Sequence, residues 1–186
     1  MQEGISHEAC AFAGHNQLGK LILLYDSNNI TIDGPTDLSY SEDVEKRFEA
    51  YGWQVLKIDG HNYDEIRNAI AQAKAETKKP TIVICTTQIG FGSPNRAGTS
   101  KAHGEPFPAD EIVLTKEKLG LPTDQSFFVP AEIANLGKET QDKGAKAEQD
   151  WKNSLEEYKK SYADLAQTFE KMMKGEIDAK AFDIPA

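Results

Sequence analysis

The sequence predicts an α/β fold in which helices flank a parallel sheet, followed by a C-terminal helical extension. Segments with helical periodicity alternate with short apolar runs over residues 5–86, in the order helix, strand, helix, strand, helix, strand. The run Leu21–Leu24 has no polar alternation, which is typical of a strand covered on both faces. The composition shifts near Pro130. We therefore predict an α/β domain over residues 1–128, and an extension with the start of a linker over 129–186.

The first helix is predicted over Ile5–Gln17, with Gly19 in the left-handed conformation that commonly ends helices. Four apolar residues fall on one face of this helix: Ile5, Ala9, Phe12 and Ala13. The strand Leu21–Asp26 follows at once. A helix that runs so soon into a buried strand is typical of the second half of a βαβ unit. We expect the first strand of that unit to precede Met1.

The other elements of the α/β part are a loop over 31–40, helices over 41–51, 62–76 and 108–119, and strands over 53–58 and 81–86. Glu42 and Asp43 should lie in the first turn of the second helix, where they suit the helix dipole. Asn62 and Glu65 have the spacing of a capping box. Four residues of the helix that these two open should face inward: Ile66, Ala69, Ile70 and Ala73.

The extension carries an apolar stripe at alternating steps of four and three residues. Its members are Trp151, Leu155, Tyr158, Tyr162, Leu165, Phe169 and Met172. This spacing predicts one helix that ends at Gly175. We expect it to pack on its parent domain as a surface helix rather than to form a coiled coil. Lys180–Ala186 should begin a linker.

Composition excludes several classes of function. The net charge of −9 argues against nucleic acid as a partner, because phosphate backbones require a basic face. No apolar run approaches membrane-spanning length, and the first twenty residues lack the pattern of a signal peptide. Cys10 and Cys85 lie inside apolar elements without metal-site spacing, which indicates buried thiols in a reducing, cytoplasmic compartment.

A polar turn directly follows the first strand and is the first candidate site. In open α/β sheets, ligands bind beyond the carboxyl ends of the strands. The side chain of Asn28 and the carbonyl of Ile30 would supply oxygen donors there, which suit Mg²⁺ or Ca²⁺ bound together with phosphate groups. The alternative is an ordinary strand-ending turn, which the spacing alone favours.

A long glycine-rich loop, residues 88–104, leaves the second buried strand at the same edge. His103 in this loop could donate to a phosphate oxygen or shuttle a proton, or could be a plain surface histidine. Glu3, at the start of the first helix, could be a simple partner of the helix dipole. The remaining histidines are assigned to structure: His7, His15 and His61.

Several segments are specific enough to suggest a known family. Two of them are Met-Gln-Glu-Gly-Ile-Ser-His-Glu-Ala at 1–9 and Leu-Gly-Lys-Leu-Ile-Leu-Leu-Tyr-Asp-Ser-Asn-Asn-Ile-Thr-Ile-Asp-Gly at 18–34. They resemble the second part of the thiamine-diphosphate motif of transketolases. Arg-Phe-Glu-Ala-Tyr-Gly-Trp at 47–53, Ile-Asp-Gly-His at 58–61 and Ile-Gly-Phe-Gly-Ser-Pro-Asn-Arg-Ala-Gly-Thr at 89–99 are also similar. The resemblance covers residues 1–128 most specifically.

The resemblance implies a role for each candidate residue. Asn28 would be the side-chain ligand of the divalent metal and Ile30 would contribute its carbonyl. Ile89 would pack against the thiamine, and His103 would contact the diphosphate and the substrate. Glu3 would belong to an acidic cluster that couples the two active sites of a homodimer. In the family a Gly-Asp-Gly segment supplies a further metal ligand, and it would precede Met1.

The implied reaction moves a two-carbon ketol unit between sugar phosphates in the pentose phosphate pathway, with thiamine diphosphate and Mg²⁺ or Ca²⁺ as cofactors. The implied fold is an incomplete thiamine-diphosphate-binding fold, and the chain alone should be inactive. Two alternatives stay open: an enzyme like 1-deoxyxylulose-5-phosphate synthase, or a non-catalytic binding module that docks through the apolar stripe.

Overall fold

A computed structural model describes residues 3–176, which contain six α-helices and five short strands. The chain divides into two compact units, Met1–Ser126 and Phe127–Ala186. The elements of the first unit are α1 (Gly4–His15), β1 (Ile22–Ser27), β2 (Ile30–Thr31), β3 (Gly34–Pro35), α2 (Val44–Ala50), β4 (Gln54–Asp59), α3 (Tyr63–Ala75), β5 (Thr81–Thr86) and α4 (Ala109–Lys118). The second unit contains α5 (Ala131–Ser161) and α6 (Ala163–Met173).

The main sheet has three parallel strands in the order β1-β5-β4, which confirms the predicted parallel α/β architecture. The central strand β5 is the covered one, with Thr81–Ile84 buried. The expectation that Leu21–Leu24 is covered on both faces is wrong for the described residues, because Leu24 is 60% exposed. β1 lies at an edge of the three-stranded sheet. The helix α3 contacts mainly β4 and β5, so Leu24 of β1 stays exposed.

The core lies on the sheet face that α1 and α2 cover. It contains Cys10, Ala13, Phe48, Trp53, Ile82 and Ile84. The rings of Phe48 and Trp53 meet edge to face with centroids 5.0 Å apart. The indole of Trp53 donates a hydrogen bond of 2.8 Å to the carbonyl of Cys10, which links the residue before β4 to α1. Burial raises the pKa of the Cys10 thiol.

The apolar face that the sequence marks on α1 is for the most part not the buried face. Ile5 and Phe12 are 75% and 65% exposed, and Ala9 is also exposed, whereas Ala13 is buried together with Cys10. The periodicity identified an apolar face correctly, but the sheet packs against the adjacent small residues. Close packing requires small residues here, because a Cβ on Gly14 would lie 1.8 Å from the Tyr51 carbonyl oxygen.

The end of α1 also differs from the expectation. Gln17, with φ of 52°, adopts the left-handed conformation predicted for Gly19. Gly19 is required for another reason, since a Cβ there would lie 2.0 Å from the carbonyl oxygen of Thr77. This contact brings the turn before β1 against the turn before β5.

The caps of α2 and α3 were predicted in part. Asp43 precedes α2 as its N-cap and accepts a hydrogen bond from the backbone N–H of Lys46, so it does not lie inside the first turn. Asn62 caps α3 as predicted, and its side chain accepts from the N–H groups of Asp64 and Glu65. The carboxylate of Glu65 accepts from the N–H of Asp59 at 2.8 Å, which ties the cap to the end of β4.

Two further expectations need correction within this unit. Ile70 is 40% exposed, whereas Ala69 and Ala73 of the same predicted face are buried. Residues 31–40 are not only loop, because β2 and β3 pair as a short antiparallel hairpin and a 3₁₀ turn follows at Thr36–Leu38. The hairpin places Ile30 and Thr31 in a defined backbone conformation next to the Asn28 turn.

The second unit has two helices where the sequence predicted one. The break falls at Tyr162, whose φ of −140° and ψ of 60° are not helical. α6 packs on α5 through the buried Ala166, and Lys159 pairs with Glu170 at 2.7 Å across the two helices. Gly175 ends the second helix as predicted, with φ of 73°. The predicted linker, residues 180–186, lies outside the described residues.

Candidate functional site

Three loops leave the sheet at the carboxyl ends of its strands. The register places Ser27 of β1 and Asp59 of β4 on either side of Thr86 of β5. The Asn28 turn, the loop that begins at Thr87 and the turn at Gly60 therefore share one edge of the sheet. Ligand sites in parallel sheets form at such an edge.

The Asn28 turn holds its side chain by two hydrogen bonds. The Oδ1 of Asn28 accepts from the backbone N–H of Ile30 at 3.0 Å, and its Nδ2 donates to a carboxylate oxygen of Asp26 at 3.3 Å. Asn29 adopts a left-handed φ of 61°, and its carbonyl accepts from Thr36 N–H at 3.0 Å. These contacts fix which end of the Asn28 amide carries the oxygen.

Asp26 also links the two loops of the candidate site. Its other carboxylate oxygen accepts a hydrogen bond from the hydroxyl of Thr87, the first residue after β5. One carboxylate therefore contacts both the Asn28 turn and the start of the loop that carries His103. Sequence reasoning did not identify this role of Asp26, since its partner Thr87 is 61 positions away.

His103 follows a 3₁₀ turn, Ser100–Ala102, and its backbone N–H donates to the carbonyl of Ser100 at 3.0 Å. Its side chain is exposed. The loop folds back on itself, since a Cβ on Gly90 would lie 2.9 Å from the Cβ of Ala102. The next residue, Gly104, lies beside Ile32 of the β2–β3 hairpin, where an added Cβ would be 3.6 Å from Cδ1 of that isoleucine.

An open cleft of about 400 Å³ brings these parts together. Its lining residues are Glu3, Tyr25, Asp26, Asn28, Asn29, Ile30, Thr31, Ile32, Thr36 and His103. Four of the five predicted site residues therefore lie around one cleft. Ile89 does not line it. Its carbonyl instead accepts from Gly98 N–H at 2.9 Å and closes the base of the glycine-rich loop.

The charges of the cleft restrict what it can bind. Glu3 and Asp26 are its carboxylates, and neither lysine nor arginine is among its lining residues. Residues 3–176 contain no cluster of three or more histidine, cysteine or acidic side chains able to hold a metal. The amide oxygen of Asn28 and the carbonyl of Ile30 are hard donors that fit Mg²⁺ or Ca²⁺, with further ligands supplied from elsewhere.

The glycine-rich loop is anchored by a carboxylate that sequence reasoning missed. Glu111 on α4 is 5% exposed, and it accepts hydrogen bonds from the hydroxyl of Ser93 and from both the backbone and side-chain N–H groups of Asn95. These hydrogen bonds lower the pKa of Glu111. From sequence it is an ordinary acidic residue in the first turn of a helix, and no local signal marks its burial.

His61 is a second anchor at the start of the same loop. Its Nε2 accepts from the backbone N–H of Gln88 at 2.9 Å, and its ring stacks on Phe91 with centroids 4.2 Å apart. His7 contacts the hydroxyl of Tyr51 at 2.9 Å. The assignment of these two histidines to structure agrees with their contacts.

Comparison with known proteins adds an independent observation. Residues 1–178 match the family model described as transketolase, thiamine diphosphate binding domain. The chain belongs to the transketolase family. It is 48% identical to the transketolase of Staphylococcus epidermidis over 95% of its length, and 47% identical to that of Bacillus subtilis over the same share. The chain spans 27% of the length of each of these two relatives.

Solved transketolase structures have the same fold. The structure from Leishmania mexicana matches 99% of this chain with a TM-score of 0.86 and 34% identity, and the match covers 28% of that chain. The Pichia stipitis enzyme matches 94% of this chain with a TM-score of 0.83 and 40% identity, and the match covers 26% of that chain. A transketolase is therefore favoured over the synthase and binding-module alternatives.

No helix among residues 3–176 has the length and apolarity needed to cross a membrane.

Proposed function

We propose that this chain supplies the diphosphate-binding part of a transketolase active site. The reaction transfers a two-carbon ketol group from a ketose phosphate to an aldose phosphate. The observation that carries the proposal is the single cleft shared by Glu3, Asn28, Ile30 and His103 at the carboxyl ends of the strands. The family model, which describes a thiamine-diphosphate-binding domain, supports the choice of cofactor.

A divalent cation, Mg²⁺ or Ca²⁺, would be held by Oδ1 of Asn28 and the carbonyl oxygen of Ile30. An amide oxygen has two lone pairs, so Asn28 can accept from Ile30 N–H and still bind a cation. The hydrogen bond from its Nδ2 to Asp26 turns the oxygen away from that carboxylate. Because the cleft lacks lysine and arginine, a diphosphate bound there requires a cation to balance its charge.

The other residues would orient the cofactor and the substrate. His103 would donate to a diphosphate oxygen and to the sugar phosphate, Ile89 would pack against the thiamine, and Glu3 would join an acidic cluster between subunits. Thiamine diphosphate supplies an electron sink for the transferred two-carbon unit. The chain's own residues bind the diphosphate end and hold it against the sheet edge.

Sugar phosphates are the proposed substrates. Transketolase structures from Pichia stipitis contain sedoheptulose-7-phosphate and, in mutants, xylulose-5-phosphate or fructose-6-phosphate. We place the enzyme in the cytoplasm, in the pentose phosphate pathway, as a homodimer. We also propose that residues 1–128 are part of the diphosphate-binding domain and that 129–186 are a helical extension, which the division at Ser126 supports.

Replacement of Asn28 tests the proposal. Asn28→Ala in the complete polypeptide that carries this chain should weaken thiamine diphosphate binding at fixed Mg²⁺ by at least about tenfold, because the cation loses a side-chain ligand. Isothermal titration calorimetry measures the affinity. The matched control is Asn68→Ala, which removes an exposed asparagine from α3. Equal affinity of wild type and Asn28→Ala would rule out Asn28 as a ligand.

A further inference from the structure

Glu111 is a buried carboxylate that the proposed chemistry does not use. It is 5% exposed, and three donors from two residues of the glycine-rich loop converge on it. One oxygen accepts from the hydroxyl of Ser93 and from Asn95 N–H at 3.0 Å, and the other accepts from the Asn95 side chain at 2.8 Å. Without a carboxylate the buried Ser93 hydroxyl and the part-buried N–H groups of Asn95 would lose their acceptor, and an unsatisfied buried donor costs stability.

A path of hydrogen bonds, joined through the side chain of Arg96, runs from this carboxylate to residues two positions before and after His103. The hydroxyl of Ser93 accepts from the backbone N–H of Arg96 at 3.0 Å. The guanidinium of Arg96 donates to the carbonyl of Lys101 at 3.1 Å and to the carboxylate of Glu105 at 3.2 Å. Lys101 lies two positions before His103, and Glu105 two positions after it.

A second contact ties the loop to the end of α4. A Cβ on Gly92 would lie 2.8 Å from the side chain of Leu119, the residue that follows the helix. The guanidinium of Arg96 also lies 5.8 Å from the ring centroid of Phe107. The loop therefore contacts α4 and the residues next to this helix at several points. Glu111 is the charged side chain at these contacts that accepts hydrogen bonds from the loop.

We propose that Glu111 is a positioning residue that holds His103 in the cleft by fixing the loop 93–105. This inference rests on the proposed function, in which His103 contacts the diphosphate and the substrate. Glu111 does not line the cleft itself. It acts through Ser93 and Arg96.

Hydrogen exchange tests whether Glu111 holds the loop. Glu111→Gln keeps the size of the side chain and removes its charge, Glu111→Ala removes the acceptor, and Asp110→Asn is the control at the exposed neighbour on the same helix. In the complete polypeptide that carries this chain, both Glu111 variants should raise amide exchange over residues 93–105 by at least about tenfold, while exchange in β5 stays at the wild-type level. Unchanged exchange over 93–105 would overturn the proposal.

A double-mutant cycle separates positioning from a general structural role. Glu111→Ala should lower kcat/KM for ketol transfer by at least about tenfold in the wild-type background, since a shift of ~1 Å can cost about 100-fold. In the His103→Ala background the same change should cost less than about twofold, because the group that it positions is gone. An equal loss in both backgrounds would show that Glu111 does not act through His103.

Two outcomes need a further measurement: variants that do not fold, and a complete polypeptide without activity. If the variants at Glu111 do not fold, Ser93→Ala removes the link to Arg96 and leaves the carboxylate in place, and the same two outcomes are expected of it. If the complete wild-type polypeptide that carries this chain shows no ketol transfer, that result refutes the proposed function. The exchange measurement then decides by itself whether Glu111 holds the loop.

Discussion

At the scale of single residues, one buried hydrogen bond joins α1 to the residue before β4. The indole N–H of Trp53 donates to the Cys10 carbonyl at 2.8 Å, and its ring packs edge to face on Phe48. Trp53 is 5% exposed. Buried indole groups commonly find such a partner, and losing it affects both packing and hydrogen bonding.

Trp53→Phe should therefore lower the free energy of unfolding by about 1–3 kcal/mol. Urea denaturation followed by circular dichroism measures the change. Trp151→Phe is the matched control, because that indole is 52% exposed on α5 and should change stability by less than about 0.5 kcal/mol. Equal effects of the two substitutions would contradict the assignment of the core.

The lowered pKa of Glu111 predicts how the stability of the protein depends on pH. Its hydrogen bonds to Ser93 and Asn95 lower its pKa in the folded state below the ordinary value of 4.5. The stabilisation from the ionised group is then complete above pH 4.5 and declines as the pH falls through the lowered folded-state pKa.

The difference in unfolding free energy between wild type and Glu111→Gln should accordingly be largest above pH 4.5 and should shrink on acidification. Urea midpoints measured at pH 7 and at several values below 4.5 give this difference directly. A difference that grows as the pH falls would mean that the protonated form, and not the carboxylate, holds the loop.

At the scale of elements, glycines mark places where the backbone of one segment approaches another. The sequence predicted that Gly19 would end α1 in the left-handed conformation, but Gln17 has that role and Gly19 lies against Thr77. Local sequence rules describe helix ends and cannot reveal a neighbour 58 positions away. The same limit explains why Glu111 and the partner of Asp26 were missed.

Gly19→Ala should destabilise the protein by about 2 kcal/mol or more, since its Cβ would lie 2.0 Å from a carbonyl oxygen. Gly137→Ala is the control, with nothing within 4 Å of the added Cβ inside α5, and should stabilise by about 0.5–1 kcal/mol. Urea denaturation compares the two variants. A neutral Gly19→Ala would show that the two turns do not pack as described.

The parallel direction of the strands was predictable, because apolar runs of strand length alternate with helical segments. Their order in the sheet, β1-β5-β4, was not predicted. The faces of the helices were harder to predict. α1 buries Cys10 and Ala13 and leaves Ile5 and Phe12 exposed, because backbone approach at Gly14 favours small residues. The break at Tyr162 was also missed, since the apolar stripe keeps its spacing through a residue whose backbone is not helical.

At the scale of the whole molecule, the chain spans about a quarter of its curated relatives. The cleft holds two candidate oxygen donors for the cation, and the proposed cation site needs further ligands. We therefore expect the purified chain of 186 residues to show no ketol transfer and to bind thiamine diphosphate weakly. A coupled assay with sugar phosphates measures the activity, and substantial transfer by the chain alone would refute this expectation.

The most direct test of the central claim is a crystal structure of the complete polypeptide with thiamine diphosphate and Mn²⁺, which locates the cation by anomalous scattering. We expect the anomalous peak roughly 2.0–2.6 Å from Oδ1 of Asn28 and from the carbonyl oxygen of Ile30. The side chain of His103 should contact the diphosphate. A cation and diphosphate bound elsewhere, with Asn28 and His103 facing only solvent, would contradict the account.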